Sequence, residues 1–344
     1  MRYLFYTTSA SAWEGLRKSI EKATSSIYLE MYIFIDDTKE ANYLIELFCQ
    51  KAAQGVRVRI VLDSFGSFGL SRTAIERMKK AGVDILFYKN ILRRLHRKIV
   101  VIDERIGFLG GVNIHKSARL WNDLLIRLEG PIVRSLIHSF KRVYIACGGK
   151  DQILLHYGGK PAILGRTRTW LIEHLPSIRH FRLQDAYIEA FTKAEQSVTL
   201  VTPYFLPHAW LEKLLRETVR RGVRVEVIVP KTTDVAIMTF ANQYYIQRQI
   251  PYGITFYETT EMTHAKVLMI DRKLALIGSN NLDALSFNIN AEIGVFFEDK
   301  NAIADLAHII EKWKMAATIA VVDKRPSFFA KVLSLVVRLF QPVM

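Results

Sequence analysis

Two rhythms of apolar and polar residues take turns along this 344-residue chain. Over Leu16–Ala23, Asn42–Gln54, Gln184–Ala194 and Trp210–Arg221, apolar positions recur every three or four residues, which predicts amphipathic helices. Between them stand short runs rich in β-branched residues, among them GVRVRIV (55–61), IVVI (99–102) and GVRVEVI (222–228), which predict buried strands. Asp103-Glu104-Arg105 reads as a turn after IVVI, and IGFLGG (106–111) as the return strand. Gly110-Gly111 at its end leave room for a close backbone approach. Helices alternating with strands predict α/β layering.

The pattern is written twice. KATSSIYLEMYIF (22–34) resembles KAEQSVTLVTPYF (193–205), and GVRVRIV resembles GVRVEVI. AGVDILFY (81–88) echoes YGITFYE (252–258), and LHRKIVVIDERIGFLGGVN (95–113) matches THAKVLMIDRKLALIGSNN (263–281). The four matches keep their order at a nearly constant offset of about 170 residues, so the chain holds an internal repeat. Each half predicts helix, strand, helix, strand, helix, strand and a final hairpin. The halves meet near Gly148-Gly149-Lys150, giving domains 1–150 and 151–322 packed closely, with a tail 323–344.

Side chains alternate faces along a strand, so His96 and Lys98 share one face. Asp103 sits where the chain turns, suited to binding its own turn's backbone N–H groups. Met once, this is as well explained by a core hairpin with a satisfied histidine. The repeat tips the reading toward chemistry: His264 and Lys266 share a face in the same way, Asp271 again occupies the turn, and Asn113 and Asn281 end equivalent return strands. Asp123 and Glu292 follow those asparagines at closely similar spacing.

Composition narrows the class. Half of the residues are hydrophobic, enough for a large core without disulfides, and the two cysteines, Cys49 and Cys147, form no CxxC. No disulfide framework or zinc site is expected, which fits a reducing compartment. The opening MRYLFYTTSASAWEGLRKSI lacks a long apolar core, so neither a signal peptide nor a membrane span is expected there. A net charge of +15 favours a polyanionic partner, either nucleic acid or an anionic membrane surface.

HRKIVVID and HAKVLMID are both HxKxxxxD, and this pattern occurring twice resembles the phospholipase D superfamily over nearly the whole chain. GGVN (110–113), WNDLLIRLEGPIV (121–133), TPYFLP (202–207) and GSNNLDALSFNINAEI (278–293) are similar to signatures of bacterial cardiolipin synthases, in the short form without N-terminal transmembrane helices. One departure stands out: Asp283-Ala284-Leu285-Ser286 lacks the arginine that usually follows this aspartate by two. The resemblance implies two tandem α/β/α sandwich domains related by a pseudo-two-fold axis, with the active site at their interface. It implies phosphatidyl transfer between two phosphatidylglycerols, giving cardiolipin and glycerol. A phospholipase D acting by hydrolysis and a nuclease on the same scaffold are the alternatives.

The mechanism so implied uses one imidazole as nucleophile, forming a phosphohistidine, and the other as general acid and then base. The resemblance favours His96 as the nucleophile. Lys98, Lys266, Asn113 and Asn281 would hold the non-bridging oxygens, and Asp123 and Glu292 would bind the far nitrogen of each imidazole. Asp103 and Asp271 belong to the motif, mainly as structural residues. With two lysines supplying positive charge, no metal or other cofactor is expected.

The tail 327–344, SFFAKVLSLVVRLFQPVM, places Lys331 and Arg338 on one helical face and Leu335 and Leu339 on another, a periodicity that suits a membrane interface and equally a helix docked on the protein's own core. Lys324 and Arg325 beside it favour anionic lipid. The basic run Arg93-Arg94, with Arg97 beside the histidine, suits head groups or DNA phosphates, and SFGSFGLSR (64–72) reads as a mobile apolar loop for acyl chains. No stretch interleaves aromatic with basic residues as a nucleic-acid groove would, so the expected partners are phospholipid and an anionic membrane, not nucleic acid. The expected location is peripheral, on the cytoplasmic face of the bacterial inner membrane.

Overall fold

The computed structural model describes residues 1–90, 92–158, 169–176, 180 and 182–322. The tail 323–344, with its expected interfacial helix, lies outside the described residues.

The first half runs β1 (Arg2–Thr8), α1 (Ser9–Glu21), β2 (Ser26–Met31), α2 (Lys39–Ala53), β3 (Arg57–Asp63), α3 (Arg72–Lys80), β4 (Asp84–Tyr88), β5 (Ile99–Ile102), β6 (Ile106–Gly110), β7 (Asn122–Glu129) and α4 (Ile132–Ala146). After the short α5 (Gln152–Leu155), the second runs β8 (Thr169–His174), α6 (Leu183–Thr192), β9 (Ser197–Val201), α7 (Ala209–Arg220), β10 (Arg224–Pro230), α8 (Ala236–Gln249), β11 (Thr255–Thr259), β12 (Val267–Ile270), β13 (Leu274–Gly278), α9 (Ala284–Asn288), β14 (Glu292–Phe297), α10 (Lys300–Met315) and β15 (Ala317–Ile319). Thr8, Thr38 and Ser71 cap α1, α2 and α3 through their hydroxyls, which is why these helices begin where they do.

The sheets repeat one another. The first is ordered β1-β7-β6-β5-β2-β3-β4, and the second contains β8-β14-β13-β12-β9-β10-β11 followed by β15. In each, three parallel strands join an antiparallel meander: β2 pairs parallel with β3 and antiparallel with β5, as β9 does with β10 and β12. The lead-in to β5 therefore starts at the edge where β2 and β3 end, the edge where open α/β sheets place their ligands.

The two halves close over one core. Val101 and Ile126 of the first sheet, Met269 and Val295 of the second, and Leu136, Phe140, Leu306 and Ile310 from α4 and α10 share a single buried cluster. Separate clusters lie under the outer helices α1–α3 and α6–α8. Each half is thus an α/β/α sandwich whose inner helix belongs to the common interior. The linker region stays with the first half through α5: Asp151 pairs with Arg59 at 2.6 Å, and Leu154 is buried in the shared core.

Three expectations are corrected here. Arg97 meets no solvent anion. It is fully buried, paired with Glu30 at 2.8 Å, and donates to Ser139. The alternation that puts His96 and Lys98 on one face sends the residue between them to the other, where a buried charge must find a partner. In place of a mobile loop, 64–71 is a hydrogen-bonded turn. Asp63 accepts from the N–H groups of Phe65 and Gly66, and Leu70 is core, while Phe65 and Phe68 stand outside. Asp103 does not bind its own turn. Its carboxylate accepts from the N–H groups of Thr24, Ser25 and Ser26 at the start of β2, and Asp271 does the same for Glu195, Gln196 and Ser197 before β9.

Candidate active site

The segments Leu95–Lys98 and Thr263–Lys266 are extended lead-ins to β5 and β12, and each reaches across to the opposite half. Leu95 bridges Ala291 in parallel, and Thr263 bridges Asn122. The N–H of His96 donates to the carbonyl of Ala291 over 3.0 Å, and that of His264 to the carbonyl of Asn122 over 2.7 Å. The next residue along each receiving strand is a carboxylate. Nδ1 of His96 consequently lies 3.0 and 3.1 Å from the two oxygens of Glu292, and Nδ1 of His264 lies 2.7 Å from Asp123. Each half holds the other's histidine.

The two pairs are buttressed differently. Glu292 accepts from the hydroxyls of Ser279 and Ser286, the latter at 2.8 Å. Asp123 accepts from the N–H of Leu124 at 2.7 Å. Gly111 occupies the place in the first half that Ser279 holds in the second. A Cβ on it would stand 2.4 Å from the Asp123 carboxylate, so glycine is what lets that carboxylate fit. Tyr32 meets the His96 ring edge-on at 4.8 Å, and Trp121 packs on the His264 ring at 5.0 Å. Asp63 fixes the approach to His96 by accepting from the N–H of Leu95 at 2.7 Å.

The lysines bend back toward their histidines. Lys98 donates to the carbonyl of His96 at 2.6 Å and lies over the Tyr32 ring. Lys266 donates to the carbonyl of His264 at 2.5 Å, and its ammonium is 2.9 Å from His264 Nε2. All of these groups are buried, and burial is the leading influence on how each titrates. Burial and Lys266 push the His264 imidazole down to about 4, against the pull of Asp123. Burial also lowers His96, with Glu292 opposing. Burial brings Lys266 down to about 8, and burial with repulsion from Lys266 takes Lys98 well below its ordinary value. Burial would raise Asp123 and Glu292, but the histidines and lysines beside them hold both carboxyls low. The resting site therefore carries ionised carboxylates and neutral imidazoles that donate through Nδ1. Nε2 of His96 is left as a basic, nucleophilic atom, whereas Nε2 of His264 faces the Lys266 ammonium.

A family model described as "Cardiolipin synthase, PLD-like domain" matches residues 16–144 and 187–314, one copy in each half. The chain belongs to this family. It is 32% identical to the probable cardiolipin synthase YwiE of Bacillus subtilis (strain 168), over 92% of this chain and 68% of that protein. It is 30% identical to a cardiolipin synthase of Geobacillus sp. (strain WCH70), over 98% of this chain and 71% of the relative. The fold matches the crystal structure of phosphatidylserine synthase from Haemophilus influenzae Rd KW20 with a TM-score of 0.79 at 14% identity, covering 99% of this chain and 95% of the other.

Within this cardiolipin synthase-family fold, the structure brings together His96, Lys98, Asp123, His264, Lys266 and Glu292. Asn113 and Asn281 lie two residues beyond Gly111 and Ser279 on the same approach. Their side-chain oxygens are buried and carry no hydrogen bond among the described residues. Trp13 fixes the backbone of Asn113 through a 2.9 Å bond to its carbonyl, and Asn281 donates to Asp283 at 3.3 Å. Asp103 and Asp271 are not brought into the cluster, since β5 and β12 carry them to the far end of the sheet. Sequence reasoning missed Asp63, Tyr32, Trp121, Ser279 and Ser286. Ser286 had a signal: Asp283 caps α9 by accepting from the N–H of Ser286, whose hydroxyl donates to Glu292.

Proposed function

We propose that this chain is a phosphatidyltransferase that joins two phosphatidylglycerol molecules into cardiolipin and free glycerol. One observation carries the reading: two neutral imidazoles, each oriented by a carboxylate from the opposite half, share a buried site with two lysines. The relatives' names supply the substrate class.

In the first half-reaction Nε2 of His96 attacks the phosphorus of one phosphatidylglycerol. A P–N bond forms, the P–O bond to the glycerol head group breaks, and the departing oxygen takes the proton that His264 has taken up at Nε2 on binding of the anionic phosphodiester, which leaves His264 neutral. Two features support this division of labour. The Lys266 ammonium meets Nε2 of His264, so a proton is stored on that side. Among the described residues no lysine hydrogen bond reaches Nε2 of His96, which leaves its lone pair open. The incoming phosphodiester is an anion, and its charge raises the proton affinity of Lys266 and His264 together. In the second half-reaction neutral His264 takes the proton from a head-group hydroxyl of another phosphatidylglycerol. That oxygen attacks phosphorus, the P–N bond breaks, and cardiolipin leaves. Lys98, Lys266, Asn113 and Asn281 hold the non-bridging oxygens as charge moves among them, each such donor contributing about 3 kcal/mol.

A phospholipid substrate supports a peripheral position on an anionic membrane, and we assign it to the cytoplasmic face of the bacterial inner membrane, with phospholipid and not nucleic acid as the partner. No helix among the described residues is long and apolar enough to cross a bilayer. Purified protein incubated with labelled phosphatidylglycerol, with and without chelator, tests the reading by lipid chromatography. Cardiolipin and glycerol are expected in equal amounts at the same rate in both. Phosphatidic acid as the product would make the enzyme a phospholipase, and cleaved DNA without lipid product would make it a nuclease. His96→Ala and His264→Ala should each abolish turnover, and trapped phosphate should sit on His96.

A further inference from the structure

The large apolar side chains most open to solvent are not scattered. Phe68, Leu92 and Leu120 are 89%, 81% and 80% exposed, above every other large apolar residue described. All three sit at the sheet edge that holds the histidines. Phe68 and the exposed Phe65 belong to the turn after β3, whose Asp63 holds Leu95. Leu92 lies on the connection into His96, where Arg94 stacks on Phe65 at 4.1 Å. Leu120 precedes Trp121, the residue packed on His264.

The second half repeats the device. After β10, the pseudo-symmetric partner of β3, the chain exposes Val235 and Phe240 around the start of α8. Asp234 beside them bonds Tyr204 at 2.6 Å, and its charge is felt by Lys266. Four surface segments from two domains thus surround one mouth with apolar side chains. Charge is arranged with them. Lys89, Arg93, Lys116 and Lys231 stand on the same segments and take part in no ion pair among the described residues, whereas Arg119 is spent on Glu40. Among the nearby acids, Asp36 and Asp37 are occupied by Ser71 and the N–H of Lys116.

We propose that this rim is the membrane-docking face. It inserts Phe65, Phe68, Leu92 and Leu120 below the head groups of an anionic bilayer while the four free cations bind lipid phosphates. The cleft then opens directly onto the membrane. The proposal rests on the phospholipid substrate assigned above and explains how that substrate reaches buried histidines: the head group descends between the halves, and the acyl chains never leave apolar contact. Apolar side chains supply affinity on any bilayer, and the cations supply the preference for anionic lipid.

The test uses the full chain with the triple substitution Phe65→Ser/Phe68→Ser/Leu120→Ser, and Ile153→Ser/Met315→Ser as an exposed apolar control away from the mouth. Co-sedimentation with vesicles of mixed phosphatidylglycerol and phosphatidylcholine should weaken about tenfold or more in the triple variant and not in the control. Turnover of short-chain phosphatidylglycerol in solution should stay unchanged while turnover on vesicles falls. A Phe68→Trp reporter should shift to shorter wavelength on vesicles and be quenched by brominated lipid. Vesicle binding equal to wild type in the triple variant, or an unquenched reporter, overturns the proposal. So does a dimer that the same variant dissolves, which would make a second copy the occupant. If wild-type protein binds vesicles through this rim yet turns over no phosphatidylglycerol, the docking face stands and the assigned activity falls.

Discussion

Nδ1 of His264 lies 2.7 Å from the Asp123 carboxylate, although 141 residues and the boundary between two sheets separate them in the chain. His96 and Glu292 repeat the relation in the opposite sense. Neither domain contains a complete histidine–carboxylate pair, so the chemistry exists only when the halves are closed.

This crossing predicts how damage travels. Asp123→Asn should disturb the ring-nitrogen NMR signals of His264 and leave those of His96 in place, and Glu292→Gln should do the reverse. Each should lower kcat by about 10²–10⁴ while thermal unfolding changes little, since the imidazole loses its fixed tautomer and not its packing. A signal change confined to the histidine of the mutated residue's own half would contradict the crossing.

The two halves should also respond unequally to the same exchange. Gly111→Ser copies the second half's residue into the first. It places a Cβ where only 2.4 Å separates it from the Asp123 carboxylate, and it should reduce kcat about 100-fold by displacing that group. Ser279→Gly opens space and removes one of two hydroxyls on Glu292, so its loss should be smaller. Equal effects of the two exchanges would show that the carboxylates are not sterically distinguished.

The profile of kcat/KM against pH should be bell-shaped. On the acid side activity falls as His96 takes up a proton, below its ordinary value of 6.5 because burial disfavours the cation. On the alkaline side it falls near 8, as Lys266 loses the charge that holds the substrate phosphate. Both limbs belong to the coupled cluster. Lys266→Arg keeps its charge to much higher pH, so the residual activity of that variant should lose its alkaline limb. An unchanged limb would assign it elsewhere.

Arg97 and Glu30 form an ion pair from which solvent is excluded, and burial pushes Glu30 up to about 7 despite the guanidinium. Arg97→Met should cost about 3–5 kcal/mol by stranding the carboxylate. Arg97→Met combined with Glu30→Leu should recover most of that loss, measured by chemical denaturation. A double variant as unstable as the single would mean that the bonds of Arg97 to Ser139 and Glu173 matter more than its partner's charge.

Much of this was legible in the chain alone. Period and alternation marked the helices from Asn42, Gln184 and Trp210 and the strands at IVVI and GVRV, because each element buries one face whatever surrounds it. The repeat declared two like domains, and its register singled out His96, Lys98, Asn113 and Asp123 together with His264, Lys266, Asn281 and Glu292. The shared face of His96 and Lys98 needed only the geometry of an extended chain. What it could not declare were relations between segments distant in sequence. Which carboxylate serves which histidine depends on Leu95 pairing with Ala291 and Thr263 with Asn122, bridges that form only when two sheets meet. Asp103 looked like a motif residue bound to its own turn and instead ties down Thr24–Ser26, across the sheet. Arg97 looked like a free cation and proved to be a buried one. A side chain's neighbours along the chain set the direction in which it points, but its partner is whatever the packed core brings there, and only the tertiary structure decides that.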